Sequence, residues 1–516
     1  MKKINRILAL VLGLSCIAAT AASCSDKPDA GSPETIRILA PLDETKFDKD
    51  NNFQKQVEEA TGVKLEFTYV GTNDYDTTVQ NTVLTQKNID LVSGGPEPTA
   101  LINQEALYKL TDLVETEMPN YLKYLTPEYK AQMVYEYKGE KDIYLIKSIR
   151  EAEQGYSFMV RKDWMERAGV TKTPETWAEF VDMLQKFKDT DANGDGNATN
   201  EIPLLVKPVD LRATFGINSK YYWCVEDGEY KAVVNHSNYK TYLTALNELY
   251  TKGLLDAEYV TKMVNPSWQE WSSVPAAMSD NSTGATVWWA EYTTTSTQAL
   301  QAGSEEYLKE AEWIGIAPVI GTNCEEGYIA SQAGVLKNFM IPSYVPESKV
   351  KTILKFIDWF YTDEGIDLMN YGIEGTHYTL MEDGSKRIKD IFCTFANARK
   401  AGLLYEPLPF MWSNDSYIQM ATGNSDPSEM TATGKLFYDA LNANEGHYMS
   451  QAYDMATGVW QDKKTSLSTM LDTFETNMIT GKLSLSNYDA ELKKILDAGL
   501  TECEAAQKAA YDEIVK

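Results

Sequence analysis

Apolar positions along the chain alternate between two periods. Thr35 to Ala40 is a short β-prone run, and Val63 to Val70 alternates as a half-buried strand does. Between them Phe47 to Ala60 has helical periodicity, with Gly62 as its stop. Asp76 to Lys87 is helical again. Ile89-Asp90-Leu91-Val92 is a short buried strand that ends in Ser93-Gly94-Gly95-Pro96. Strand, helix, strand, helix, strand in that order predicts an open α/β layer. Ligands of such sheets sit beyond the carboxyl ends of the strands. Ser93 and Gly94 are therefore pocket candidates, with a plain turn as the other reading.

Further on, Tyr156 to Gly169 is predicted as a strand running into a helix that Asp163 could cap. Thr173-Pro174-Glu175-Thr176-Trp177 has a cap and a first-turn proline, so it opens a helix that runs to Phe187 or Lys188. Tyr239 to Lys252 and Lys349 to Tyr361 are amphipathic helices. The last hundred residues are mainly helical, most clearly over 459–478, 487–496 and 502–515.

The N-terminus changes the picture. Lys2, Lys3 and Arg6 precede an apolar run from Ile7 to Ala22, and small residues lead to Cys24. Residues 1–23 are an export signal, too short in its apolar core to span a membrane. Cys24 is the lipidation candidate, with ordinary cleavage near residue 23 as the alternative. Residues 24–33 form a polar tether. Formal charge is −27, and −30 once the three leading basic residues are gone, which disfavours nucleic acid as a partner. Cys224, Cys324, Cys393 and Cys503 have no metal-ligand spacing and are expected to pack as small apolar residues.

One loop carries candidate metal chemistry. Asp191, Asn193 and Asp195 put a side-chain oxygen at every second position, while Gly194 and Gly196 let the backbone curl. Asn197 can add its carbonyl and Glu201 can close the shell. Hard oxygen donors at this spacing suit Ca²⁺ in a structural role. A solvated Asx/Gly turn is the alternative.

Several blocks together resemble a known family. Met159-Val160-Arg161-Lys162-Asp163-Trp164-Met165 is followed by Pro174-Glu175-Thr176-Trp177 and then by the calcium-like loop ending in Glu201-Ile202-Pro203. Leu249 to Asp256 reads Leu-Tyr-Thr-Lys-Gly-Leu-Leu-Asp, and Asn370 to Tyr378 reads Asn-Tyr-Gly-Ile-Glu-Gly-Thr-His-Tyr. Met478-Ile479-Thr480-Gly481-Lys482 and Gln507 to Asp512 complete the series. In this order the blocks resemble the extracellular solute-binding proteins of ABC importers, family 1. They are most similar to the large oligosaccharide-binding lipoproteins that include the alginate-binding proteins.

The resemblance implies a type II periplasmic-binding-protein-like α/β fold. It would have two discontinuous lobes, a hinge, a helical C-terminal region and no catalysis. Lobe 1 is expected at 34–155 plus 285–340, and lobe 2 at 156–284 plus 341–516. It also implies an oligosaccharide ligand, ABC permease subunits as partners, a lipid anchor on the extracytoplasmic face, and a monomer. An exported glycoside hydrolase and an importer subunit for a peptide are the competing classes.

Sugars offer flat C–H faces and rings of hydroxyls, so their sites need aromatic platforms beside hydrogen-bonding groups. Trp288, Trp289 and Trp412 are expected in the cleft, and Trp223 is a further candidate, with lobe core as the other reading. Glu374 and His377 are polar candidates, or else brace the turn through Gly372 and Gly375. Arg161 is expected to pair with a carboxylate of its own lobe, with a place facing the ligand as the other reading.

Overall fold

The computed structural model describes residues 33–41, 53–71, 74–150, 155–219, 221–264, 270–405, 407–424 and 428–515. The signal segment, Cys24, nearly all of the tether and Trp268 lie outside the described residues.

Two sheets organise the molecule, and their strands in chain order are β1 (Glu34–Pro41), β2 (Val63–Val70), β3 (Leu91–Ser93), β4 (Ile146–Arg150), β5 (Tyr156–Arg161), β6 (Ile202–Leu204), β7 (Thr283–Trp289), β8 (Trp313–Ile316) and β9 (Gly334–Met340). The first sheet has the order β2-β1-β3-β9-β4 and the second β8-β5-β7-β6. In the first, β1 runs parallel to β2 from Glu34↔Val63 to Pro41↔Val70, and parallel to β3 through Ile38↔Leu91. β9 runs against β3 and β4, placing Phe339 opposite Ser93 and Gly334 opposite Arg150. The carboxyl ends of β1 to β4 therefore share one edge. In the second sheet, β5 is antiparallel to β7, with Tyr156 opposite Trp289, and β6 is parallel to β7. The start of β5 and the ends of β6, β7 and β8 share that sheet's edge.

The chain crosses between these edges from Arg150 to Tyr156 and again from Ala330 to Gly334. Short crossings hold the two edges facing each other. Each sheet has its own apolar core. One gathers Ile36, Ile38, Leu91, Ile146 and Phe339 with their covering helices. The other gathers Phe158, Val160, Leu204, Val287 and Trp313. This is a two-lobed α/β molecule.

The lobe boundaries differ from those expected. Thr283–Trp289 is the inner partner of both β5 and β6, so 285–329 belongs to lobe 2. Helices Glu347–Trp359 and Asp363–Tyr371 bury Val350, Ile353, Leu354, Ile357 and Met369 in the first core, so this part of 341–516 belongs to lobe 1. There Asp358 accepts hydrogen bonds from the Asn120 and Tyr121 N–H groups, both at 2.8 Å. From Met455 onward the chain returns to the second core. Two smaller apolar clusters lie between, one around Ile388, Leu403, Leu404 and Met420, the other around Ala290, Tyr417, Phe437 and Leu441. The latter is held against the second sheet by a close approach. A Cβ on Gly315 of β8 would come within 2.3 Å of the Ala440 Cβ.

Local signals mostly resolve as expected, with two corrections. The helix Trp177–Asp189 is capped by Thr176, not Thr173. The Glu179 N–H donates to the Thr176 Oγ1 at 3.3 Å, and the Thr176 N–H donates back to the Glu179 carboxylate at 3.1 Å. Asp163 caps nothing. Its carboxylate is buried and accepts from Arg161 at 2.9 and 2.8 Å and from Arg167 at 3.0 Å. Arg161 is fully buried between the faces of Trp164 and Trp313. Of the cysteines, Cys224 and Cys503 are buried, while Cys324 and Cys393 are partly exposed.

Candidate ligand cleft

Trp289 ends β7 and Arg150 ends β4, so the edges of both sheets bring them together. The Arg150 guanidinium carbon lies 5.0 Å from the centre of the Trp289 ring and 5.4 Å from that of Trp412. Two indoles thus bracket one cation at the junction of the lobes. Trp412 arrives from the segment joining the two small clusters and packs against Tyr417 at 5.5 Å. The Tyr417 hydroxyl donates to Glu291, just past β7. Burial raises the Glu291 carboxyl above its ordinary range, while Tyr417, Arg150 and Arg399 pull it back. Burial likewise lowers Arg150, opposed by the Tyr417 and Glu291 charges. Gly155 is required at the crossing, because a Cβ there would meet the Trp289 ring at 2.7 Å.

Polar groups surround this aromatic centre. Asp210 lies on the short turn Pro208–Leu211 and is buried. With Asn218, Ser219, Gln332 and Gln451 it lines a small niche beside the second crossing. Lys207 and Glu270 pair at 3.2 Å. Burial raises the Tyr156 hydroxyl well above its usual value, reinforced by the charges of Asp210 and Glu270. Tyr221 stands 50% exposed, an aromatic face open to solvent. Flat rings beside amides and carboxylates match what a sugar presents.

The other expected contacts do not line this space. Trp223 is 1% exposed and packs on Trp460 at 5.0 Å inside the second lobe. Its neighbour two positions back, Tyr221, is the exposed ring of that triplet. Trp288 is also 1% exposed and belongs to the same core. Successive strand residues point to opposite faces, so of the adjacent pair Trp289 alone is partly accessible. Ser93 is fully buried, and its hydroxyl donates to the Pro407 carbonyl at 2.6 Å. Gly94 is partly buried at the cleft edge, and its N–H donates to Asn338 at 2.6 Å.

His377 is buried, accepts the Ile373 N–H at Nδ1 (2.9 Å) and lies 5.0 Å from the Phe392 ring. Burial, then Lys389, lowers its pKa, so the imidazole stays neutral as that acceptor requires. Glu374 is exposed on the same turn. Both residues brace or decorate a turn. Gly372 makes room for it at φ +77°, since a Cβ would lie 2.6 Å from the His377 ring. Sequence reasoning missed Arg150 and Asp210. Nothing in their neighbourhoods distinguishes them before the sheets assemble.

The 191–201 loop folds on itself. Asp195 N–H donates to Asn193 Oδ1 at 2.9 Å, and Gly196 N–H to Asp191 Oδ2 at 3.0 Å. Asn197 N–H donates to Asp195 Oδ1 at 2.8 Å. Among the described residues no three His, Cys, Asp or Glu side chains converge as a metal cluster. However, Asp191 Oδ1 and both Glu201 carboxylate oxygens are buried with no donor. Burial, with Asp191 and Asp195 adding to it, raises the Glu201 pKa. Three buried carboxylate oxygens without a donor are the environment a hard cation satisfies.

The two lobes, the paired sheet edges and the short crossings define a hinged binding protein. The chain belongs to the bacterial extracellular solute-binding protein family, whose pattern matches residues 45–367. It is 27% identical over 324 residues to the fructooligosaccharide ABC transporter substrate-binding protein FusA of Streptococcus pneumoniae, covering 54% of this chain and 56% of that protein. The match thus spans about half of that relative's length. Lipoprotein LipO of Bacillus subtilis is 23% identical over 507 residues, 93% of each chain. Among solved structures, alginate-binding protein AlgQ2 without calcium ion superposes with a TM-score of 0.67 at 17% identity, over 93% of this chain and 98% of that one. That likeness establishes the type II periplasmic-binding-protein-like fold.

Proposed function

We propose that this protein captures an oligosaccharide between its lobes and hands it unchanged to the membrane permease of an ABC importer. The observation that carries the reading is the bracket of Trp289 and Trp412 around Arg150 where both sheet edges meet. Aromatic faces take the apolar sides of sugar rings, and the surrounding Asp210, Gln332 and Gln451 suit their hydroxyls. The carbohydrate-binding names of FusA and AlgQ2 support the same class of cargo.

Three further assignments belong to this reading. Asp191, Asn193, Asp195, Asn197 and Glu201 would hold a structural Ca²⁺, which would neutralise the carboxylates and fix the loop. Cys24 would carry a lipid, tethering a monomer to the extracytoplasmic face of the cell membrane. A Cys24→Ser chain that still partitions into detergent with the lipidated fraction would refute the anchor. The Trp289, Trp412 and Arg150 group would form the ligand platform.

The test is a titration of tryptophan fluorescence with fructooligosaccharides, alginate oligosaccharides and unrelated peptides, with released reducing ends assayed in parallel. Saturable binding of a glycan without turnover is expected. Steady release of reducing ends, or binding confined to peptides, would overturn the reading.

A further inference from the structure

Trp412 is partly exposed and lies on a segment that belongs to no helix or strand, just ahead of the helix Asn414–Thr422. No ladder of backbone bonds fixes its place. One side chain does so instead. Asn370, near the end of the helix Asp363–Tyr371, is 0% exposed. Its Nδ2 donates to the Met411 carbonyl at 2.7 Å, and its Oδ1 accepts the Ser413 N–H at 2.9 Å. These are the residues on either side of Trp412. The remaining capacity is used as well. Nδ2 also donates to the Ile366 carbonyl of its own helix at 2.8 Å, and Oδ1 also accepts the Ser416 hydroxyl at 2.9 Å. Two donors and two acceptor sites are thus all engaged.

A carboxamide presents donor and acceptor side by side, as a strand neighbour would. Gripping the chain before and after Trp412 fixes the direction in which its indole leaves the backbone. Its neighbour Tyr371 supports the same turn, donating to Asp415 at 2.7 Å and meeting the Ser413 Oγ at 3.2 Å. The ring so held lies against Tyr417 and 5.4 Å from the Arg150 guanidinium carbon. We propose that Asn370 is a positioning residue for the ligand platform, touching no cargo itself but holding Trp412 ready to stack on it. This rests on the oligosaccharide reading above. A platform ordered before binding costs less to engage than one that must be ordered by the ligand.

The experiment titrates the best-binding glycan into the full-length protein and into Asn370→Asp, Asn370→Ala, Trp412→Ala and the double variants. In parallel, fluorine NMR follows ligand-free protein labelled with 5-fluorotryptophan, where the resonance lost in Trp412→Phe belongs to Trp412. Asn370→Asp keeps the shape and the acceptors but loses the donor to Met411. About tenfold weaker binding is expected, with less than about twofold further loss once Trp412 is already Ala. The Trp412 resonance should move in both Asn370 variants while those of Trp223 and Trp460 stay. Parental affinity in both Asn370 variants, or losses that multiply in the double variants, overturns the inference and leaves the oligosaccharide reading standing. Asn370 variants that lack a cooperative melt also overturn it, because the residue then serves folding. If the parent protein binds no glycan, the oligosaccharide reading falls and the fluorine spectrum decides the inference, an unmoved Trp412 resonance overturning it.

Discussion

Trp288 and Trp289 are chemically alike and adjacent, yet one fills a core and the other meets a guanidinium. The alternation of a strand separates them, and the pairing of β7 with β5 assigns the faces. Trp289→Ala should therefore weaken glycan binding about 10- to 100-fold, as loss of an aromatic platform does, measured by fluorescence or calorimetric titration. Trp412→Ala should act in the same direction. The same scale governs Asp163. Replacing it with Ala strands the fully buried Arg161 among indoles. A loss of about 3–5 kcal/mol in urea unfolding is expected. The sequence suggests a carboxylate partner for Arg161 but not which one: Asp163, read there as a helix cap, is the partner in the fold.

Elements behave as their local chemistry directs, and this makes them testable apart from any ligand. If the 191–201 loop holds Ca²⁺, a chelator lowers the melting temperature and calcium restores it. Glu201→Gln should abolish that difference, because it removes a charge whose two oxygens have no donor. The turn from Gly372 to His377 depends on backbone geometry. Gly372→Ala should cost at least about 1 kcal/mol from its positive φ, and more from the contact with His377.

The hairpin strand Trp223–Glu226 carries an acid-sensitive contact. Burial alone would raise the Glu226 carboxyl, but the Ser237 hydroxyl and Lys231 bring it down to about 2. A depressed carboxylate contributes stability above its unfolded value near 4.5 and loses it as pH falls toward 2. Glu226→Gln should thus flatten the decline in melting temperature below pH 4.5, an effect of roughly 1–2 kcal/mol after solvent screening.

The arrangement of the whole molecule predicts motion between its halves. Two cores are joined by short crossings, and the candidate site is built from both edges and from the bridging clusters. Ligand should bias the lobes toward a closed state, seen as a smaller radius of gyration in solution scattering. No change in dimensions at saturating ligand would argue for a rigid receptor.

Periodicity and spacing by themselves determined the α/β class, the long C-terminal helices, the Thr176-region helix start and the oxygen-rich loop. These depend on residues within a few positions of one another. The division into lobes did not follow, because 285–329 and 341–371 are sorted by pairings and burial across hundreds of residues. The same limit applied to the cleft. Arg150 and Asp210 carry no local mark, and Trp223, Trp288, Ser93 and His377 carry a misleading one. Which of several similar side chains faces the gap is a property of the assembled sheets, where strand register turns one neighbour inward and the next outward.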